Sequence, residues 1–79
     1  MSKKEKREDR IRNNPQNVSL GDFEALINQY GRIKKGGKHR QAVIGNRVFS
    51  YKRTNPILPP YVEKILEIID NLKQNQNKE

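Results

Sequence analysis

The stretch His39-Arg40-Gln41-Ala42-Val43-Ile44-Gly45-Asn46-Arg47-Val48-Phe49-Ser50-Tyr51-Lys52 decides the fold. Two runs rich in β-branched and aromatic residues flank Gly45-Asn46, which has the composition of a two-residue hairpin loop. A two-residue loop sets the pairing: Ile44 faces Arg47, Val43 faces Val48, Ala42 faces Phe49, Gln41 faces Ser50, Arg40 faces Tyr51 and His39 faces Lys52, whereas a three-residue loop would shift this register and swap the faces. Because side chains alternate along a strand, one face carries Ala42, Ile44, Phe49 and Tyr51. The other carries His39, Gln41, Ser50 and Lys52 around Val43 and Val48. The first face is expected to meet helices, and the second solvent or a ligand.

On the N-terminal side, Arg32-Ile33-Lys34-Lys35 is a short alternating run, and Gly36-Gly37 permits a turn into His39. A three-stranded antiparallel sheet follows. Between Arg32 and Arg53 the chain carries Arg32, Lys34, Lys35, Lys38, Arg40, Arg47, Lys52 and Arg53 and no acidic residue. An anionic polymer is the natural ligand of such a sheet, with Lys34, Lys35, Lys38, Arg40, Lys52 and Arg53 as candidate phosphate contacts. Gly36-Gly37-Lys38 lacks the spacing and the following Ser or Thr of a nucleotide-binding phosphate loop. The chain's one histidine, His39, comes just after the Gly36-Gly37 turn and falls on the open face, which makes it the candidate general base.

Helices are expected on either side. Ser19 can cap a helix by accepting from the amide of Asp22, with Val18 and Phe23 at the spacing of a hydrophobic staple. Phe23, Leu26, Ile27 and Tyr30 form its apolar face, and Gly31 ends it. After the proline-stiffened connection Thr54 to Pro60, the residues Tyr61, Val62, Ile65, Leu66, Ile68, Ile69 and Leu72 line a second amphipathic helix. Residues 1–14, which mix charges of both signs around Ile11, read as a frayed helix or disordered arm, and residues 73–79 as a disordered polar tail. The expected domain is therefore residues 15–72, an α+β unit in the order α-β-β-β-α with two helices on one face of the sheet.

Composition narrows the function further. A 79-residue chain with 32% apolar residues forms one small domain whose core leaves no room for a large buried active-site cavity. With no cysteine, a disulfide framework and a cysteine metal site are excluded; with a single histidine a zinc centre is not expected, nor is any other metal or small-molecule cofactor. No apolar run approaches membrane-spanning length, and the charged start lacks a secretory h-region. The expected location is the cytoplasm, with no membrane partner. A net charge of +8 suits nucleic acid.

Several short segments carry a family resemblance. They are Asn14-Pro15-Gln16-Asn17-Val18, the helix ending in Tyr30-Gly31, the basic strand, Gly37-Lys38-His39 opening the second strand, and Asn55-Pro56 through Pro59 leading into Tyr61-Val62-Glu63-Lys64-Ile65-Leu66. In that order and spacing, over roughly Asn14 to Leu72, they resemble the HicA family of bacterial toxins. The resemblance implies a double-stranded-RNA-binding-like fold, metal-independent endonucleolytic cleavage of mRNA (an mRNA interferase) and neutralisation by a HicB-type antitoxin protein. His39 matches the histidine of the family's Gly-Ser-His pattern. Lys38 stands where serine is usual, and Arg40 where a second histidine often follows.

Together these readings give one expectation. The basic face holds an RNA backbone, His39 accepts the proton of a ribose 2′-OH that attacks the adjacent phosphate, and Lys38, Arg40 or Lys52 stabilises the developing charge. The alternative is a non-catalytic RNA-binding module built on the same face. A small basic structural protein of a ribonucleoprotein is a third reading.

Overall fold

A computed structural model of the chain describes residues 3–77. The element order is α1 (Lys3–Asn13), α2 (Leu20–Tyr30), β1 (Arg32–Gly36), β2 (His39–Ile44), β3 (Arg47–Lys52) and α3 (Pro59–Asn77). The strands form one antiparallel sheet in the order β1-β2-β3. The fold is α+β as expected, with a docked helix α1 where the sequence pattern predicts a frayed helix or disordered arm.

The hairpin register is the one the Gly45-Asn46 loop requires, from Ile44 opposite Arg47 to His39 opposite Lys52. Gly45 takes a positive φ of 60° at the first loop position, where a side chain would be strained. Ala42, Ile44 and Tyr51 are buried against the helices, with Phe49 partly buried beside them. Tyr51 is the aromatic centre of this layer: its ring meets Phe23 edge-on at 5.0 Å and lies 6.4 Å from Tyr61.

Helix α2 starts as its cap chemistry dictates, with Ser19 accepting from the Asp22 amide at 3.1 Å. Phe23, Leu26 and Ile27 are its buried face. Its end has a different cause from the one the pattern suggests. Gly31 adopts an extended φ of −163° rather than a left-handed one, and a Cβ there would lie 2.0 Å from the carbonyl oxygen of Val43. Glycine is required because β2 passes over it.

Helix α3 inserts Val62, Ile65, Ile68 and Ile69 into the core. The connection before it is anchored too: Ile57 is buried, and its amide donates to the Val18 carbonyl at 2.9 Å. The Asn55–Pro56 peptide is cis.

Both chain ends correct the sequence reading. Residues 3–13 of the expected arm form helix α1, which packs mainly on α2, and Ile11 is buried at 2% exposure. A segment with one sizeable apolar residue docks because its charges are paired inward. Glu8 is buried and accepts from Tyr30, from Lys73 at 2.7 Å and from Arg12 at 3.0 Å. Arg12 also donates to Asp70 at 2.7 Å. Helix α3 likewise continues through Lys73 to Asn77, beyond the expected end near Leu72. Residues 1, 2, 78 and 79 of the expected arm and tail lie outside the described residues. Among the described residues no helix is long and apolar enough to cross a membrane.

Candidate nucleic-acid interface

Register and alternation place each candidate side chain. In β1, Lys34 is opposite Gln41 and Gly36 is opposite His39; in β3, Lys52 is opposite His39 and Ser50 is opposite Gln41. Directly opposed residues in an antiparallel pair project to the same side. The sheet face away from the helices therefore presents the row Gly36-His39-Lys52, then Lys34-Gln41-Ser50, then Arg32-Val43-Val48. His39, Lys34, Lys52, Arg32, Gln41 and Ser50 are exposed, and Val48 keeps 55% of its surface in water.

The turn before the site is tighter than Gly36-Gly37. Because Gly36 already pairs with His39, the loop residues are Gly37 and Lys38. Gly37 takes a positive φ of 41°, which fits the first position of such a loop, while Gly36 has no conformation that requires glycine. Lys38 thus sits at the hairpin tip, next to His39 and exposed.

Lys35 and Arg40 do not join this face. They pair with each other on the helix side, in the row Lys35-Arg40-Tyr51. Arg40 Nη1 donates to Glu24 Oε2 at 3.4 Å, and Arg53 Nε donates to the same oxygen at 3.2 Å. Tyr51 donates its hydroxyl there as well, at 2.7 Å. Burial, then the bond to the Glu24 carboxylate, raises the Tyr51 pKa far above the ordinary phenol value. The expected cluster of cations around His39 is thereby divided into two groups, one on each side of the same end of the sheet.

On the open side, Arg32, Lys34, Lys38 and Lys52 make no ion pair among the described residues. Every carboxylate among the described ion pairs belongs to α1, α2 or α3. The face also lacks a described aromatic platform, since Phe49 and Tyr51 are turned to the helices. This geometry suits contact with backbone phosphates rather than base stacking. His39 makes no side-chain hydrogen bond among the described residues, so its two ring nitrogens face solvent.

Arg32 and Glu24 are the site residues that sequence reasoning did not single out. Arg32 was accessible from alternation, two residues before Lys34. Glu24 was not, because its arginine partners lie 16 and 29 residues away. A groove of about 500 Å3 between α1, the start of α2 and Asn55-Pro56 touches none of the residues on the open face. Among the described residues, no three His, Cys, Asp or Glu side chains gather in a way that could hold a metal ion. No family model, curated protein or solved structure matches this chain.

Proposed function

We propose that this protein binds RNA across the open face of its sheet and cleaves it at His39, acting in the cytoplasm as the toxin of a toxin–antitoxin pair. The observation that carries the proposal is the pairing of His39 with Lys52 beside unpaired cations. Cross-strand neighbours have Cβ atoms about 5 Å apart, so an imidazole and an ammonium in these positions can reach one phosphodiester group. In the proposed step His39 takes the ribose 2′-OH proton as O2′ bonds to phosphorus. The P–O5′ bond breaks, and the departing oxygen is protonated by the imidazolium. The products are a 2′,3′-cyclic phosphate and a 5′-hydroxyl. Lys52 and Lys38 offset the charge that builds on the phosphorane. The histidine handles both protons, so the route calls on no metal. The toxin role and neutralisation by a HicB-type antitoxin rest on the HicA resemblance of Asn14 to Leu72.

One observation favours the non-catalytic reading. Among the described residues, no carboxylate or second histidine stands on the open face to orient His39 or to share its proton transfers, and Arg40, at the position where the family often has that histidine, is held by Glu24. The deciding experiment incubates purified protein with a long RNA in excess chelator. Cleavage to fragments ending in 2′,3′-cyclic phosphate supports the nuclease. A protein that retains the RNA and never cuts it is a binding module, and one that does neither loses both readings.

A further inference from the structure

The arginine pair on the helix side of the sheet is more than Glu24 needs. One hydrogen-bonded cation neutralises a half-buried carboxylate, and Tyr51 already donates to it at 2.7 Å. Yet Arg40 and Arg53 both converge on the one oxygen, Oε2. A guanidinium has five N–H donors in a rigid fork. Each arginine uses one of them on Glu24, and among the described residues the others have no acceptor. Arg53 is bound through Nε, which leaves both terminal nitrogens unengaged, and its side chain is 43% exposed. Lys35, exposed and directly across from Arg40 on the same face, adds a third cation against one carboxylate.

We propose that Arg40 and Arg53, splinted by Glu24, form a second phosphate-binding site for the RNA strand on the helix side of the sheet end that bears His39 on its other side. The inference rests on the RNA-binding reading given above. Holding two side chains in place beforehand lowers the ordering cost that arginines incur on binding, and the exposed fork of Arg53, backed by the half-buried Arg40, suits bidentate contact with phosphate oxygens. In sequence Arg40 follows His39 and Arg53 follows Lys52, so the two sites are back to back across a single layer of sheet. A strand contacting both must turn around the sheet end, past Lys38. Flexible single-stranded RNA can do this, whereas a stiff A-form duplex would lie on one face only.

The test uses a single-stranded oligonucleotide with 2′-O-methyl riboses, which binds without being cut, and measures affinity against salt for the parent, Arg53→Ala, Arg53→Lys and Lys52→Ala. Thermal melting shows that each variant is folded. Loss of one phosphate contact on a single strand flattens the plot of log affinity against log salt by about 0.7. Arg53→Ala is expected to show that change and a several-fold loss of affinity, as Lys52→Ala does. Arg53→Lys is expected to keep the slope while losing affinity, because charge survives and the fork does not. Arg53→Ala with the parent's slope and affinity, beside a weakened Lys52→Ala, would overturn the second site and leave the open-face reading standing. Arg53→Lys with the parent's affinity would overturn the forked geometry. A parent that does not bind the oligonucleotide would overturn the inference together with the RNA-binding reading, and no change in either alanine variant would overturn it together with the placing of RNA on the open face.

Discussion

Lys73 donates to Glu8 at 2.7 Å across 65 residues of sequence, joining the last turns of α3 to the first helix. The contact makes α1 part of the folded unit. Removal of either half of its anchor should be felt throughout the domain: Ile11→Ala, at a site 2% exposed, is expected to cost about 2–5 kcal/mol. Glu8→Ala, which leaves Tyr30 and Lys73 without their acceptor and Arg12 with Asp70 alone, is expected to cost about 1–3 kcal/mol. Urea unfolding measures both. Midpoints equal to the parent's would show that α1 is a detachable arm.

The same carboxylate sets a pH dependence. Burial would raise the Glu8 pKa, but the hydrogen bonds from Lys73, Tyr30 and Arg12 outweigh it and hold the group below the ordinary value of 4.5. A depressed folded-state pKa means that the unfolded chain takes up the proton first on acidification. The stabilisation is therefore present above about pH 4.5 and fades as the pH drops through the lower folded value. Unfolding midpoints between pH 6 and pH 3 should fall more steeply for the parent than for Glu8→Gln, which has no charge to lose.

Gly31 offers a sharper test of packing. Its φ is one that any residue adopts, so Gly31→Ala tests the approach of β2 alone: the added carbon meets the Val43 carbonyl oxygen at 2.0 Å. Backbone must move at the junction of α2 and β1. The expected loss is about 3 kcal/mol, at the upper end for overpacking, read as a lowered thermal midpoint. Gly36→Ala, with its nearest new contact at 3.9 Å, is the matched control and should differ by less than about 1 kcal/mol.

How far these features were legible in the sequence follows from their range. The Gly45-Asn46 loop is a local signal, and from it came the register, the two faces and the placing of His39 opposite Lys52. Alternation also puts Arg40, two residues before Ala42, on the helix side, although its charge suggested the open face. Glu24 as its partner was beyond reach, because nothing in an amphipathic helix pattern says which polar residue meets which strand. The docking of α1 was hidden for a related reason. Its burial depends on Tyr30, Asp70 and Lys73 supplying partners for Glu8 and Arg12, and mixed charge around one isoleucine looks the same whether those partners exist or not.

Salt dependence tests the open face as a whole. Lys34, Lys52 and Arg32 project there without a described acidic partner, whereas Lys6 is exposed on α1. If the sheet tracks the RNA backbone, Lys34→Ala and Lys52→Ala should each flatten the salt dependence by about 0.7 for a single strand. Lys6→Ala should leave it near the parent's. Equal changes at all three positions would mean that the attraction comes from the +8 net charge rather than from a defined surface.

His39→Ala separates catalysis from binding most directly. The side chain is exposed on the sheet face away from the helices, so the variant should melt at the parent's temperature to within a few degrees. Its charge and hydrogen bonds amount to one contact among many, and RNA affinity should change by only about 1 kcal/mol. Cleavage is different. A general base contributes on the order of 10²–10⁴ to the rate, and no second imidazole and no carboxylate stands among the described residues of the face to replace it. Side-by-side assays in chelator with intact RNA should therefore show binding retained and cutting reduced by at least about 10². Undiminished cutting in the variant would remove His39 from the mechanism. A loss of binding in step with cutting would reassign it as a contact residue of the interface.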